Sequence, residues 1–285
     1  METSGLDSDG REFKNAEEMW KEEIGEEGDL HKKSEWYRKA VGYWQNVEAS
    51  VDGVLGGYGC VNETDIKTSE AFLNNILSER FASSDSAINR HRVALDCGSG
   101  IGRVTKNLLL RYFDEVDLVE PVSHFLEAAR TNLNPEHLNI SDDHKAANFY
   151  CIPLQDFTPE EGRYDIIWIQ WCIGQLADDD FVSFFKRAKA GLKPNGVFVL
   201  KENIAKSGFV LDKDDKSITR SDTYFKELFN RCGLYIYKLQ DQKGFPQELF
   251  AVKMYALTTD MPKRNHGSRS MNRSIRQCNR PSIIM

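Results

Sequence analysis

Apolar and polar positions along residues 93–257 predict strands and helices in turn. Short apolar runs predict five strands, over 93–96, 116–120, 148–151, 164–171 and 197–203. Apolar residues at helical spacing lie between several of these runs and predict helices over 102–112, 122–133 and 178–192. Repeated strand–helix units with right-handed crossovers build a doubly wound sheet of parallel strands.

The last elements of the pattern break this alternation. A helix over 221–232 is followed by apolar strands over 234–240 and 250–257, with no helix between them. Two strands without an intervening helix favour antiparallel pairing. The predicted α/β core therefore spans 93–257 and closes on an antiparallel pair.

Helical spacing also precedes the core. Ser34 can cap a helix that continues to residue 47, and a second helix starts at 68 or 69 and ends near 80. A glycine-dense loop, 51–59, lies between them. Residues 34–82 are therefore predicted to form a helical cap with a glycine-rich loop, within one domain that spans 34–257.

Charge separates the two ends of the chain from this domain. Residues 1–35 hold twelve acids and five bases, and the final residues 258–285 hold six bases and one acid. Neither end shows a sustained apolar period, so we predict a flexible acidic lead-in over 1–33, with a short helix around Trp20, and a disordered basic tail over 258–285.

A glycine-rich turn follows the first predicted strand. Residues 93–103 read Val-Ala-Leu-Asp-Cys-Gly-Ser-Gly-Ile-Gly-Arg, and the next strand ends in Glu120. A strand, a tight glycine turn, a helix and a second strand with a terminal acid form a unit that binds adenosine-containing cofactors. We therefore expect such a cofactor at the carboxyl ends of these strands.

The glycine spacing decides between two cofactors. A dinucleotide fingerprint would need its third glycine at position 103, which is Arg103 here. A pyrophosphate is also repelled by nearby carboxylates, and Asp96 lies just before the turn. S-adenosylmethionine carries a sulfonium and no phosphate, and Glu120 can accept two hydrogen bonds from its ribose. The motif therefore predicts S-adenosylmethionine rather than NAD.

The end of the fourth predicted strand is the expected place for a substrate, because ligands of such sheets lie beyond the carboxyl ends of the strands. Methylases of planar nitrogens often carry Asn/Asp-Pro-Pro-aromatic here, whereas this chain has Gln170 and Trp171. We therefore predict an acceptor other than a planar amide or base nitrogen. The ring of Trp171 can face a cation or a proline, or it can simply pack under a helix.

Three acids, Asp212, Asp214 and Asp215, fall within four residues of the loop after the fifth strand. Such a cluster is usually solvated, but this loop leaves the ligand-binding edge of the sheet and so indicates a cationic acceptor. A free α-amine has a pKa of about 7.7–8 and is partly neutral near pH 7. A carboxylate can accept the proton of the α-amine molecules that are still protonated. A lysine amine, with a pKa of about 10.4, needs stronger assistance to lose its proton.

These motifs resemble the eukaryotic α-N-methyltransferases that modify protein N termini beginning Xaa-Pro-Lys, and the resemblance is to a plant-like member. It covers about residues 36–257, and its most specific motifs are Gly-Gly-Tyr-Gly at 56–59 and Trp-Ile-Gln-Trp at 168–171. The other matching motifs lie at 43–44, 51–55, 96–103, 154–159, 194–196, 201–203 and 211–212.

The resemblance implies the fold of a class I S-adenosylmethionine-dependent methyltransferase. Its seven-stranded, mostly parallel, Rossmann-like sheet would carry an N-terminal helical extension, and S-adenosylhomocysteine would be the product. Gly98, Gly100 and Arg103 would hold the methionine end of the cofactor, and Glu120 would hold the ribose. The remaining implied cofactor-binding residues are Trp44, Leu154, Gln155 and Gln170.

The resemblance also implies a peptide site. Trp171 would pack on the substrate proline, Asn203 would hydrogen-bond the substrate N terminus, and Asp212 and Asp215 would meet its amine and lysine. The remaining implied substrate-binding residues are Leu55, Gly56 and Ser217.

Gln175 departs from the family pattern, because relatives commonly have His at this position. Glutamine can orient an amine but cannot accept a proton near neutral pH. Asp215, or water, would then take a larger share of proton removal. The predicted catalytic residues are therefore Asp215, Asn203 and Gln175, and no metal ligand is predicted.

Three functions follow from these observations. The first is methylation of Ala/Pro/Ser-Pro-Lys N termini after removal of Met, with ribosomal and chromatin proteins as implied substrates. The second is a small-molecule N- or O-methyltransferase, which the acidic loop disfavours. The third is a non-catalytic protein whose basic tail binds nucleic acid, which the intact glycine turn disfavours.

The expected location is the cytoplasm, the nucleus or both. No apolar run approaches the roughly 20 residues of a membrane span, and the polar N terminus is unlike a secretory signal. None of the six cysteines forms a C-x-x-C pair, which favours reduced thiols.

Overall fold

Among the residues that the structure describes, two short strands and four α-helices precede the central strand that leads into the glycine turn. A computed structural model describes residues 3–26, 29–81, 91–138 and 143–261. In chain order the first elements are β1 (Gly5–Asp7), β2 (Glu12–Phe13), α1 (Ala16–Ile24), α2 (Leu30–Gln45), α3 (Val51–Val54) and α4 (Asn62–Arg80). Helix α1 confirms the short helix predicted around Trp20.

The acidic N-terminal segment is folded along residues 3–26, so the prediction of a flexible lead-in is wrong there. Ala16, Met19 and Trp20 recur at helical spacing, and all three are buried in the main core. Trp20 also packs edge-on against Trp36 of α2, with ring centroids 5.3 Å apart. One apolar helix face is enough to fix the segment, although its net charge favours solvation.

The remaining elements form the α/β core. They are β3 (Val93–Cys97), α5 (Arg103–Asn107), β4 (Glu115–Val119), α6 (Ser123–Asn132), β5 (Lys145–Tyr150), β6 (Tyr164–Gln170), α7 (Asp178–Ala188), β7 (Leu192–Ile204), β8 (Phe209–Asp212), β9 (Ser217–Arg220), α8 (Asp222–Cys232), β10 (Tyr235–Asp241) and β11 (Ala251–Thr258).

Seven of these strands form the central sheet, in the order β10-β11-β7-β6-β3-β4-β5. The five strands from β5 to β7 in this order are parallel, whereas β11 runs antiparallel to both β7 and β10. Every residue of β6 is buried, as expected for a strand covered on both faces. The predicted seven-stranded, mostly parallel, Rossmann-like fold is therefore confirmed.

Several element boundaries differ from the prediction. Helix α2 begins at Leu30, five residues early, because Asp29 rather than Ser34 caps it by accepting from the Lys32 amide. The helix predicted over 102–112 stops after Asn107 and continues only as a 3₁₀ turn. Residues 82–90, between α4 and β3, lie outside the described residues, as does the predicted basic tail from residue 262 onward. Thr258, placed in the tail by the prediction, belongs to β11.

A second, four-stranded sheet was not predicted from the sequence. Its order is β2-β1-β8-β9, so the acidic loop is the turn of a hairpin rather than an irregular connection. The strands are only two to four residues long, which is too short for a periodic signal. This sheet joins the N-terminal segment to the predicted acidic substrate region.

The described helices include none that is long and apolar enough to cross a membrane.

Candidate active site

The glycine turn after β3 depends on backbone conformations that side chains disfavour. Gly98 and Gly100 have φ values of 64° and 53°, in the left-handed region. A Cβ atom on Gly98 would lie 2.3 Å from the Cβ of Cys172. The Gly98 amide donates to the carbonyl of Val119 at 2.8 Å, which ties the turn to β4. The turn therefore presents bare backbone at the carboxyl end of β3.

Two buried acids flank this turn. Glu120 accepts hydrogen bonds from the amides of Gly100 and Val122, both at 2.9 Å. Burial raises the pKa of Glu120 to about 7, although these backbone hydrogen bonds oppose the shift. Asp96 accepts from the Thr105 hydroxyl at 2.6 Å, and burial raises the pKa of Asp96 to about 6. Each oxygen of Glu120 can still accept a further hydrogen bond.

The turn, α2 and the segment after β5 enclose a cavity, here called the glycine-turn cavity. All eight predicted cofactor-binding residues line it: Trp44, Gly98, Gly100, Arg103, Glu120, Leu154, Gln155 and Gln170. The hydroxyl of Ser99 also lies on this cavity, buried and without a hydrogen-bond partner in the described structure. Acids, bare backbone and an unpaired hydroxyl fit the ribose and the ammonium of S-adenosylmethionine.

Sequence reasoning missed Asp65, which holds two of these residues in place. Its carboxylate is fully buried in α4 and pairs with Arg103 at 2.7 Å and with Lys201 of β7. It also accepts from the Gln170 amide at 3.0 Å. No motif marks this acid in the sequence, because its partners come from β6, β7 and α5. The network fixes the floor of the glycine-turn cavity.

A second cavity adjoins the first and is here called the acidic cavity. Four residues line both: Trp44, Val54, Trp171 and Gln175. Six of the seven predicted substrate residues also line it: Leu55, Gly56, Trp171, Asn203, Asp215 and Ser217. The structure therefore brings together segments that lie far apart in the sequence, next to the predicted cofactor site.

Asp212 is the exception among the predicted substrate residues. Its exposed carboxylate does not line the acidic cavity and instead accepts from the amides of Asp214 and Asp215, at 2.9 and 3.3 Å. Short acidic side chains commonly cap their own turns in this way. The structure therefore gives Asp212 a role in shaping the turn, and its contact with the substrate stays a prediction.

Asp215 points its charge toward the acidic cavity. Its Oδ1 atom is buried and has no hydrogen-bond partner among the described residues. Burial raises the pKa of Asp215 to about 6, with a smaller contribution from the charge of Asp212, while hydrogen bonds from Ser217 oppose the shift. The carboxyl group therefore titrates close to neutrality.

Glu202, at the carboxyl end of β7, is a second such carboxylate and was not predicted. It is 6% exposed and lines the acidic cavity, and its Oε2 atom is buried without a partner in the described part of the chain. Burial raises the pKa of Glu202 to about 7, and the charge of Asp215 adds to this shift. Glu202 belongs to the motif at 201–203, but only Asn203 of that motif was assigned a role from the sequence.

The ring of Trp171 stands between the two cavities. Its backbone φ is 52°, a strained value for a bulky residue. The guanidinium of Arg103 and the ammonium of Lys201 lie 5.6 and 5.9 Å from the ring centroid. Phe245 packs beside it at 6.3 Å. Trp171 lines both cavities as well as packing against Phe245, which favours the interpretation that its ring faces a ligand.

Within the ranges that the structure describes, no group of three or more His, Cys, Asp or Glu side chains could hold a metal ion.

A glycine turn and terminal acid on a seven-stranded sheet with a reversed last strand define a class I S-adenosylmethionine-dependent methyltransferase. Comparison with known proteins agrees with this class and identifies a family within it. Residues 32–258 match the family described as AdoMet dependent proline di-methyltransferase. The chain therefore belongs to this family, and its cofactor is S-adenosylmethionine, as predicted.

Individual relatives support this assignment. The chain is 64% identical to "Alpha N-terminal protein methyltransferase 1" of Arabidopsis thaliana over 284 residues, which is 100% of both chains. It is 41% identical to "N-terminal Xaa-Pro-Lys N-methyltransferase 1-B" of Xenopus laevis over 224 residues, which is 79% of this chain and 96% of the relative. The predicted resemblance to a plant-like member of this family is confirmed.

A solved structure agrees with the fold as well. A SAM-dependent methyltransferase from Leishmania major superposes with a TM-score of 0.78 at 40% identity, covering 90% of this chain and 97% of that one.

Proposed function

We propose that this enzyme transfers methyl groups from S-adenosylmethionine to the α-amine of protein N termini that begin Xaa-Pro-Lys. The observation that carries the proposal is the acidic cavity, where Asp215 and Glu202 each keep an unpaired carboxylate oxygen beside the glycine-turn cavity. A buried pair of acids favours a cationic ligand, which compensates their desolvation. The printed names of the relatives give the same acceptor class.

The ring of Trp171 supports a proline at the second position. Arg103 and Lys201 already lie within 6 Å of its centroid, so a third cation against this ring would meet like charge. An uncharged proline ring avoids that repulsion and still packs on the aromatic surface. We therefore assign the proline to Trp171 and the substrate amine and lysine to the acids.

The other predicted residues complete the proposed peptide site. Leu55 and Gly56 contribute an apolar and exposed edge to the acidic cavity, where the peptide backbone would lie. Asn203 would hydrogen-bond the substrate N terminus from the end of β7, and Ser217 would contact the peptide while it supports Asp215.

The carboxylates of the acidic cavity would remove the proton from the substrate α-amine. When bound, S-adenosylmethionine supplies an electrophilic methyl group, and the amine must be neutral to attack it. Asp215 and Glu202, with pKa values of about 6 and 7, are largely ionised above pH 7 and can accept the amine proton. Gln175 lines both cavities but can only orient the amine.

A peptide assay tests the proposal. Full-length enzyme is incubated with S-adenosylmethionine and a Ser-Pro-Lys peptide, and the product mass is measured. The proposal predicts mass increases of one or more methyl groups, and none when the α-amine is acetylated beforehand. Equal methylation of the acetylated peptide would overturn it.

The small-molecule alternative is tested in the same assay with simple amines and phenols. Saturable turnover of these compounds, without turnover of the peptide, would establish the alternative. The homologues do not favour that outcome, since their names specify protein N termini.

We extend the proposal to ribosomal and chromatin proteins as substrates, in the cytoplasm, the nucleus or both. Proteins that expose Ala/Pro/Ser-Pro-Lys after Met removal should lose their N-terminal methylation when the gene is deleted. Unchanged methylation in the deletion strain would exclude them.

A further inference from the structure

The N-terminal segment, residues 3–26, contacts the hairpin that carries Asp215. It precedes the family match, which begins at residue 32, so the family assignment does not account for it. Strand β1 pairs in parallel with β8, with Leu6 opposite Val210 and Asp7 opposite Leu211. The amide of Ser8 also donates to the carbonyl of Leu211 at 2.8 Å. The segment therefore forms one sheet with the hairpin.

The fit between segment and hairpin is close. A Cβ atom on Gly5 would lie 2.5 Å from the ring of Phe209, which leaves no room for a side chain. Phe13 of β2 packs on the same ring, with centroids 6.1 Å apart. These contacts fix the first strand of the hairpin, and hence the direction from which the turn reaches the acidic cavity.

Acids of this segment also pair with both lysines of the acidic turn, residues 212–217. The ammonium of Lys213 donates to Asp9 and lies 3.8 Å from Asp7. The ammonium of Lys216 lies 3.1 Å from the carboxylate of Glu23 in α1, and both side chains are 16% exposed. Ion pairs that are this well shielded persist better than fully exposed ones.

Lys216 is the lysine that matters most, because it directly follows Asp215. Its ammonium pairs with Glu23 and lies 5.5 Å from the centroid of the Trp36 ring. Asp215 meanwhile keeps a buried oxygen without a partner in the described residues. A lysine released from Glu23 would compete with a cationic substrate for that carboxylate.

We propose that Glu23 is a positioning residue for the substrate: it holds the Lys216 ammonium so that Asp215 remains available to a cationic peptide. Glu23 thereby influences peptide binding from outside both cavities. This inference rests on the proposed function, because it takes the peptide cation as the ligand of Asp215.

The test compares Glu23→Gln with Glu22→Gln in the full-length enzyme. Both remove one negative charge from α1, but Glu22 pairs with Arg11 of its own segment. Glu23→Gln should raise the KM for a Ser-Pro-Lys peptide about three- to tenfold. The affinity for S-adenosylmethionine should stay unchanged, and Glu22→Gln should leave both constants near wild type.

A second variant separates charge competition from loosening of the hairpin. Lys216 has a φ of 57°, which asparagine tolerates, so Lys216→Asn removes the ammonium without forcing the turn. Adding it to Glu23→Gln should restore the wild-type KM. A KM that stays raised in the double variant, or does not rise in Glu23→Gln, would overturn the inference. Loss of the proposed function itself would show differently, as absent peptide turnover by the wild-type enzyme.

Discussion

The glycine-turn cavity and the acidic cavity share a wall at Trp44 and Trp171, but the chain assembles them differently. The first is built around one short motif, residues 96–103, and its shape depends on backbone conformations that only glycine adopts easily. The second collects single side chains from α2, the 51–59 loop, β7 and the β8–β9 hairpin. It depends on the charges of buried carboxylates rather than on backbone shape.

This difference has consequences for substitution. The glycine-turn cavity should be damaged by added atoms, whereas the acidic cavity should tolerate isosteric changes in volume and respond to loss of charge. Changes in the first should therefore affect cofactor affinity, and changes in the second should affect peptide turnover at unchanged cofactor affinity.

The largest effect is expected for Gly98→Ala. The new Cβ atom would meet Cys172 at 2.3 Å and would also sit at a positive φ. Strain and overpacking together should lower the affinity for S-adenosylmethionine about a thousandfold, measured by titration calorimetry. Gly162→Ala is the matched control, because Gly162 has a φ of 62° and open space around its Cβ position. Equal cofactor affinity in the two variants would refute the steric account of the turn.

Asp215→Asn, in the acidic cavity, should have the next largest effect. It keeps the shape of the side chain but removes the proton acceptor, so kcat should fall about a hundredfold. The affinity for the cofactor should not change. Asp214→Asn removes the same charge from an exposed neighbour and should change kcat little. A fall in cofactor affinity that matches the fall in kcat would contradict the separation of the two cavities.

Glu202→Gln should lower kcat about tenfold and at the same time stabilise the fold at alkaline pH. The pKa of Glu202 is raised from 4.5 to about 7, so its contribution to stability is complete below pH 4.5 and is lost as pH rises through 7. The glutamine amide does not ionise, so the variant does not lose this stability. At pH 8 its free energy of unfolding should be roughly 1–3 kcal/mol larger than that of the wild type.

Denaturant unfolding at pH 5 and pH 8 checks the Glu202 prediction, because the gain in stability should be clearly larger at the higher pH. A variant that is less stable than wild type at pH 8 would show that the ionised carboxylate has a partner in the fold. That result would remove Glu202 from the list of proton acceptors.

The smallest effect is expected for Gln175→His. An imidazole with a pKa of about 6.5 can accept a proton that glutamine cannot, so kcat at pH 7 should rise by a few-fold. The increase should be larger in the Asp215→Asn background, where a proton acceptor is missing. A fall in kcat in both backgrounds would mean that the amide of Gln175 makes an essential hydrogen bond.

The contrast between the cavities also explains what the sequence could predict. The glycine-turn cavity could be predicted because it is built around a contiguous motif with a known strand–turn–helix context. All eight residues predicted to bind the cofactor line this cavity. The central sheet was equally accessible, because its strands are long, apolar and separated by helical periods.

The acidic cavity and its supporting network were harder to predict, because the elements that form them are short or lie far apart in the sequence. Strand β1 has three residues and β2 has two, and β1 pairs with a hairpin about 200 residues away. Glu202 sits inside a predicted strand, and Asp65 sits on a helix without any motif. Their importance comes from buried partners and unpaired oxygens, which only the tertiary structure reveals.

The position of the methyl group on the product tests the central claim most directly. A Ser-Pro-Lys peptide offers both an α-amine and a lysine amine, and tandem mass spectrometry of the product assigns each added methyl to one of them. The account predicts that every methyl lies on the N-terminal residue and none on the lysine. Methylation of the lysine amine, with the N terminus unmodified, would contradict it.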